Sequence, residues 1–181
     1  MLRRFGLLIL FSTSLLACAA PAAVSPTAPT TVSRACDVWA REVSFAKSVA
    51  DHDARAFAEH VLPGAVFVDG DTTFLRGREA IVEAWKSILA GEKYAFAWHP
   101  TAVFLTSDRH VAISRGPYWL EAKSPTAKAP RLSGYYQSTW VMDIDGAWRV
   151  AIDGGTPPAA PIGEAELTAL KASIPTTCIE P

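Results

Sequence analysis

The chain has 181 residues, half of them hydrophobic, and a formal net charge of −1 at pH 7. Its basic residues form no patch or run, which argues against a nucleic-acid partner. The sequence also lacks a Gly-rich phosphate-binding loop, a serine or cysteine nucleophile motif and any His/Cys spacing typical of metal sites, so we expect neither a metal nor a cofactor.

The first 18 residues are typical of a bacterial secretion signal. Arg3 and Arg4 precede an apolar run and a small-residue segment that ends at Cys18. The apolar run is shorter than the roughly 20 residues that span a bilayer. Leu15-Leu16-Ala17-Cys18 resembles a lipobox, which implies cleavage before Cys18 and acylation of its thiol. The alternative is an ordinary signal peptide with an incidental cysteine.

The lipobox interpretation predicts the location of the protein. Several acyl chains on one residue give stable membrane attachment. We therefore expect a lipid-anchored protein of the bacterial envelope, on the periplasmic face of the outer membrane if the cell has one. A secreted or periplasmic protein is the alternative.

Residues 19–33 contain alanine, proline, threonine, serine and valine without a charge. Such a segment buries too little surface to offset its ordering entropy, so we interpret it as a flexible tether. We place the main domain at 34–158 and a C-terminal extension at 159–181. About 145 residues suffice for one domain with a core. Without Arg3 and Arg4, the 15 basic and 18 acidic residues give a net charge of −3.

Two cysteines lie near the ends of this folded part, Cys36 and Cys178. An even pair in an oxidising envelope compartment predicts a disulfide, and two free thiols are the alternative.

The first half of the domain is predicted to be mainly helical. Trp39, Val43, Ala46 and Ala50 recur at helical spacing and predict a helix from about Cys36 to Ala50. A shorter helix follows, with Asp51 or Asp53 as its N-cap.

Two strands and a third helix come next in the sequence. We predict strands at 65–68 and 73–76, followed by a helix between Gly77 and Gly91.

The second half contains four strand-like runs, 94–106, 110–122, 132–144 and 147–153. Ser107-Asp108 and Asp145-Gly146 are typical hairpin turns. Helices followed by an antiparallel sheet predict an α+β fold, with a final short helix at 164–172.

Two motifs carry a resemblance to a known family. Arg76-Gly77-Arg78-Glu79-Ala80-Ile81 opens the third helix, and Asp145-Gly146-Ala147-Trp148-Arg149-Val150 forms the last hairpin. Together with the pattern from Trp39 to Pro158, they resemble SnoaL-like members of the nuclear-transport-factor-2-like superfamily. The resemblance implies a cone-shaped fold, with the N-terminal helices packed in a strongly curved antiparallel sheet around an apolar pocket. It also implies a possible homodimer that pairs through the sheet.

Asp69 is the first candidate site residue. By resemblance it lies close to where ketosteroid isomerases and SnoaL cyclases carry a base aspartate. Proton abstraction next to a carbonyl needs a carboxylate in apolar surroundings, so a catalytic Asp69 should point inward and be buried. The alternative is an aspartate that accepts turn N–H groups. The isomerases also carry a first-helix tyrosine, where this chain has Ser44 and Phe45.

Arg115 is the second candidate, because its alternating set Val111, Ile113, Pro117 and Trp119 is otherwise apolar. A charge on an apolar face is unfavourable unless it is paired. Either the face turns outward at Arg115, or Arg115 pairs with a carboxylate such as Asp69 or Asp153, or it binds an anionic ligand.

The remaining candidates are weaker. Tyr136 and Ser138 lie on the more apolar side of their strand and are expected to reach the pocket, as are Trp98 and Asp153. His60 lies in the second helix, so a His60–Asp69 pair is conceivable.

Three functions are consistent with this pattern. The preferred one is an envelope-anchored domain that binds a small apolar or amphipathic molecule. The second is a cofactor-free isomerase, cyclase or dehydratase with Asp69 as its base and Arg115 or Tyr136 polarising the substrate. The third is a structural dimerisation module. A ligand-binding cone should contain a cavity of several hundred cubic ångströms with isolated polar groups, whereas a structural module should be filled by its own tryptophans.

Overall fold

The computed structural model describes residues 35–70, 72–124, 126–156 and 160–178, which all belong to one compact unit. The helices in this part of the chain are α1 (Ala35–Ala50), α2 (Ala54–His60), α3 (Arg78–Ala84), α4 (Lys86–Leu89) and α5 (Glu164–Ala172). The strands are β1 (Val61–Asp69), β2 (Thr73–Arg76), β3 (Tyr94–Trp98), β4 (Ala102–Leu105), β5 (Val111–Ala122), β6 (Arg131–Met142), β7 (Trp148–Gly155) and β8 (Ala160–Pro161).

The helices and one curved sheet confirm the α+β, cone-shaped fold. The main strand order is β2-β1-β7-β6-β5-β3, with β4 beside β5 and β8 beside β6. The prediction of an antiparallel sheet was wrong in one respect, because β1 pairs in parallel with β7. A hairpin places β2 on one edge of β1. The other edge of β1 pairs with β7, which comes much later in the sequence and runs in the same direction as β1.

The buried face of α1 differs from the predicted face by one residue. The buried set includes Val38, Glu42, Phe45 and Val49, whereas Ala50 is exposed. The true face contains a glutamate, so a search for apolar residues alone selects the neighbouring set of Trp39, Val43, Ala46 and Ala50. This shift brings a carboxyl group into the interior of the cone.

The predicted strand 94–106 is interrupted, which helps the sheet to bend. Between β3 and β4 the chain passes Pro100, which is fully buried and cannot donate a backbone hydrogen bond. On the facing strand, a Cβ atom at Gly116 would lie 2.0 Å from the His99 carbonyl oxygen. The proline and the glycine together allow the two strands to cross closely at this point.

The Arg76-Gly77-Arg78 motif joins β2 to α3. Gly77 has φ +87° and ψ 144°, a conformation open essentially to glycine. Its N–H donates to the Ala65 carbonyl at 2.8 Å, and Arg78 Nε donates to the Val61 carbonyl at 2.7 Å. These bonds hold the start of α3 against β1, so the helices line the open end of the cone.

Cys36 and Cys178 form the predicted disulfide, with their Cα atoms 5.5 Å apart. Because Cys36 lies in α1 and Cys178 follows α5, the bond fastens the C-terminal extension to the first helix. No helix in the part of the chain that the structure describes is long and apolar enough to cross a membrane.

Candidate functional site

The cone contains a cavity of about 290 Å³ between the helices and the inner face of the sheet. Its walls are mainly apolar and aromatic and include Phe67, Trp85, Phe96 and Tyr118. The closed end of the cone is different, because Phe45, Phe57 and Trp140 are fully buried there. The interior is therefore filled at one end and open at the other.

Asp153 is a partly buried carboxyl group in the cavity wall. It lies on β7, where it faces Ser138 of β6, and Ser138 in turn faces Ser114 of β5. The Ser138 hydroxyl donates to Asp153 Oδ2 at 2.6 Å. Burial raises the pKa of the Asp153 carboxyl to about 8; the Ser138 hydroxyl opposes this rise, and Glu42 adds to it. Asp153 is therefore largely protonated at neutral pH.

Tyr136 lies next to this row of polar residues and also lines the cavity. Its hydroxyl is 3.3 Å from Ser114 Oγ. Burial raises the pKa of Tyr136 well above its ordinary value, and the neighbouring Glu42 and Asp153 contribute in the same direction. The phenol is thus neutral, and the cavity has a hydroxyl beside a carboxyl group.

Glu42 lies behind this row and is fully buried. The indole N–H groups of Trp98 and Trp140 donate to its two oxygens, each at 2.7 Å. Burial raises the pKa of Glu42, while the two indoles and the hydroxyls of Ser114 and Ser138 oppose the rise. The sequence analysis missed this residue, although a glutamate in the helical series 38-42-45-49 is a detectable signal of a buried carboxyl.

Asp69 lies at the mouth of the cavity, at the end of β1 opposite Thr73. Its side chain is exposed. The burial expected of a catalytic base is therefore absent at Asp69 and present at Asp153.

Arg115 is exposed on the outer face of the sheet, because the inward positions of β5 are Ala112, Ser114 and Gly116. It lines a second groove together with Tyr135 and Gln137, and Tyr136 and Asp153 border both this groove and the main cavity. Of the predicted arrangements, the structure has the one in which the face turns outward at Arg115.

The structure also separates two other candidates from the main cavity. His60 Nδ1 is 2.7 Å from the Ala56 carbonyl oxygen and Nε2 is 3.1 Å from Ser44 Oγ, so both ring nitrogens have partners other than Asp69. Burial lowers the pKa of His60 to about 4, which leaves the ring neutral. Trp98 contacts only a small inner space of about 20 Å³ that adjoins Tyr136 and Asp153.

The described residues contain no group of three or more His, Cys, Asp or Glu side chains arranged to hold a metal ion. Cys18 lies outside the described residues. Among the predicted site residues, the structure brings Tyr136, Ser138 and Asp153 together at the cavity, with Asp69 at its mouth.

The fold agrees with those of known proteins. The SnoaL-like domain family matches residues 40–153. A nuclear-transport-factor-2-like superfamily protein from Salmonella enterica is 14% identical, with a TM-score of 0.55 and coverage of 71% of this chain and 94% of that chain. A ketosteroid isomerase-like protein from Erwinia carotovora is 15% identical, with a TM-score of 0.51 and coverage of 65% and 89%.

An NTF2-like protein with a cystatin-like fold from Novosphingobium aromaticivorans is 16% identical, with a TM-score of 0.53 and coverage of 74% of this chain and 86% of that chain. No curated protein matches the sequence. At these identities the likeness extends to the fold alone.

Proposed function

This chain belongs to the SnoaL-like domain family, and we propose that its cone binds a small apolar or amphipathic molecule. The observation that supports this function is the cavity of about 290 Å³ with aromatic walls and one buried carboxyl group, Asp153. Pockets for small ligands typically combine an apolar lining with a few isolated polar groups that orient the ligand. A purely structural module has no need of such a cavity.

A neutral aromatic probe, 2-phenylethanol, tests whether the cavity accepts a guest. We expect saturation-transfer NMR to detect binding to the wild-type protein and to Ala90→Trp, but not to Ala84→Trp. Ala84 is an exposed helical residue that lines the mouth, so the larger side chain blocks the entrance without disturbing the core. Ala90 is an exposed helix-end residue outside the cavity and is the matched control.

Equal binding by all three proteins would show that the probe sits elsewhere, and an absence of binding to wild type would contradict the proposed pocket. Native mass spectrometry of protein purified from its own cells then identifies the natural guest, as an adduct that Ala84→Trp lacks and Ala90→Trp retains.

A cofactor-free enzyme of the isomerase, cyclase or dehydratase kind is the second candidate function. The elevated pKa of Asp153 favours it, because a carboxyl group that titrates near pH 8 exchanges protons readily under ordinary conditions. One structural relative is named a ketosteroid isomerase-like protein. In this proposal Asp153 replaces Asp69 as the proton-transferring group, and the Tyr136 hydroxyl polarises the substrate.

Isomerisation of a β,γ-unsaturated cyclic ketone tests this alternative. If the site is catalytic, Asp153→Asn should lower the rate by about a hundredfold or more, since general acid–base catalysis contributes on that scale. If the rate falls only in Asp69→Asn, Asp69 rather than Asp153 is the proton-transferring group. An absence of activity in wild type would leave binding as the function of the site.

We also propose that the domain is anchored in the envelope through Cys18. The disulfide between Cys36 and Cys178 supports an oxidising compartment, where such bonds persist. Wild type should fractionate with membranes and Cys18→Ser should be released; unchanged fractionation would contradict lipidation.

The outer face of the sheet supports the proposed homodimer. Phe104, Ile113, Thr139 and Ile152 form one row across four strands. Phe104 is 53% exposed and Ile152 is 50% exposed, so this row places large apolar side chains on the surface of the sheet. Light scattering should find a dimer that Ile152→Glu disrupts, whereas Ile144→Glu, a change at a fully exposed turn residue, should leave it intact. A monomeric wild type would contradict this proposal.

A further inference from the structure

We infer that the molecule bound in the cavity is a cation, namely an organic ammonium with an apolar or aromatic body. This inference rests on the proposed binding function and specifies the chemical class of the ligand. It follows from the charge of the cavity, from the arrangement of its aromatic rings and from the missing partner of Asp153.

The charge of the cavity is entirely acidic. Its wall contains Asp69 at the mouth and Asp153 in the interior, and no Lys, Arg or His among the described residues lines it. Glu42 lies directly behind the wall. Arg115 is on the opposite, outer face of the sheet and is exposed to solvent. Asp69 would therefore repel an anionic ligand, and the cavity offers such a ligand no positive partner among the described residues. A cation would be attracted to Asp69 and would favour the ionised form of Asp153.

The aromatic rings of the wall form a continuous series. Ring centroids are 5.6 Å apart for Phe67 and Trp85, 5.7 Å for Trp85 and Phe96, and 5.8 Å for Phe96 and Tyr118. The faces of such rings carry negative potential and attract ammonium groups. The same rings bury the apolar body of an amphipathic ligand, so both parts of the proposed molecule have a complementary surface.

Asp153 has no cationic partner in the described part of the protein, and its carboxyl group therefore holds a proton at neutral pH. Ser138 donates to Oδ2, but no cationic side chain among the described residues pairs with Asp153. A buried charge is unfavourable unless it is paired. The groups around it add no positive charge either, since they are Glu42 on α1, Tyr136 on β6, Tyr118 on β5 and Asp69 on β1. A bound ammonium would supply the missing charge.

Three probes with similar bodies test this inference by calorimetry at pH 7: 2-phenylethylammonium, 2-phenylethanol and 3-phenylpropanoate. We expect the ammonium to bind at least about tenfold more tightly than the carboxylate and more tightly than the alcohol. If the alcohol binds as well as the ammonium, or the carboxylate binds as well as either, the cationic assignment is wrong while the pocket stands. If none of the three binds, the proposed function fails as well.

Asp153→Asn tests whether Asp153 is the group that selects the cation. The variant should lose most of the preference for the ammonium but still bind 2-phenylethanol. Glu92→Gln, which neutralises an exposed carboxylate outside the cavity, should keep the wild-type preference. An unchanged preference in Asp153→Asn would overturn the role of Asp153.

Proton release provides a second measurement that uses only the wild-type protein. Asp153 with a pKa of about 8 holds its proton at pH 7, and a bound cation stabilises the carboxylate. Calorimetry in buffers of different ionisation enthalpy should therefore detect release of close to one proton per (2-phenylethyl)trimethylammonium bound, because this probe does not titrate. The number of protons released should decline at pH 9, and binding of 2-phenylethanol should release no proton. Cation binding without proton release at pH 7 would contradict pairing with Asp153.

Discussion

Two buried carboxyl groups of this domain lie in contrasting surroundings. Glu42, at the closed end of the cone, accepts hydrogen bonds from two tryptophans and is packed among aromatic rings. Asp153, at the open end, has one serine as a hydrogen-bond partner and borders a cavity. Glu42 is saturated by groups of the protein, whereas Asp153 retains capacity for another partner. Glu42 therefore contributes to the packing of the core, whereas Asp153 is available to a ligand.

The two groups are nevertheless connected. Ser138 is fully buried and donates to Asp153, and its hydroxyl also opposes the rise in the pKa of Glu42. Glu42 in turn raises the pKa of Asp153. The closed end therefore influences the proton affinity of the open end, although it contacts no ligand.

Glu42→Ala should have the largest effect on stability. The change leaves the indole N–H groups of Trp98 and Trp140 without an acceptor inside the core and opens a cavity. Since each orphaned donor costs about 1–3 kcal/mol, we expect the free energy of unfolding in urea to fall by about 4 kcal/mol. Glu92→Ala, at an exposed position, is the control and should change it by less than about 0.5 kcal/mol.

A loss below about 1 kcal/mol in Glu42→Ala would contradict this assignment, because it would mean that water or a rearranged side chain replaces the carboxyl without difficulty. Near-ultraviolet circular dichroism, which reports on the two tryptophans, distinguishes local rearrangement from a loss of stability.

Asp153→Asn should increase the stability of the domain, unlike Glu42→Ala, and the size of this increase should depend on pH. The pKa of Asp153 is about 8 in the folded protein and 3.8 in the unfolded chain, so the folded wild type holds a proton that the unfolded chain releases. The wild type therefore loses stability as pH rises from about 4 to about 8, and the asparagine variant lacks this loss. Asparagine can still accept the Ser138 hydroxyl. We expect the variant to be more stable at pH 9 by several kcal/mol, and equal to wild type near pH 4.

Thermal unfolding across this pH range checks the prediction. A constant difference between variant and wild type from pH 4 to pH 9 would show that Asp153 is not a protonated buried acid. A gain confined to high pH would fit a functional group that is kept at the expense of stability.

The sequence predicted the framework of the domain better than its interior. Periodicity, turn residues and the Arg76-Gly77-Arg78 motif are local signals, and they located β2, α5 and the hairpin turns closely. The parallel pairing of β1 with β7 depends on residues more than 80 positions apart, and no local signal specifies it. The apolar residues of α1 indicate a neighbouring face, because the buried series contains Glu42.

The site was predicted only in part for the same reason. Tyr136, Ser138 and Asp153 were among the candidates, and in the structure Tyr136 and Asp153 line the cavity while Ser138 is buried behind Asp153. Asp69 follows an apolar strand just as a buried base would, yet it is exposed. The position of a residue along its strand does not indicate how deeply its side chain is buried in the cone.

Asp69→Asn should have the smallest effect of the three changes. Asp69 is exposed at the cavity mouth, where water solvates its charge and salt screens it. The free energy of unfolding should change by less than about 0.5 kcal/mol, and the affinity for 2-phenylethylammonium should fall by less than about threefold. Calorimetry of Asp69→Asn beside Asp153→Asn compares the two carboxyls directly. If Asp69→Asn weakens the ammonium as much as Asp153→Asn does, the charged head lies at the mouth and the aromatic body points inward. A larger loss in Asp153→Asn places the ammonium at the buried carboxyl, which is the arrangement that the missing partner of Asp153 requires.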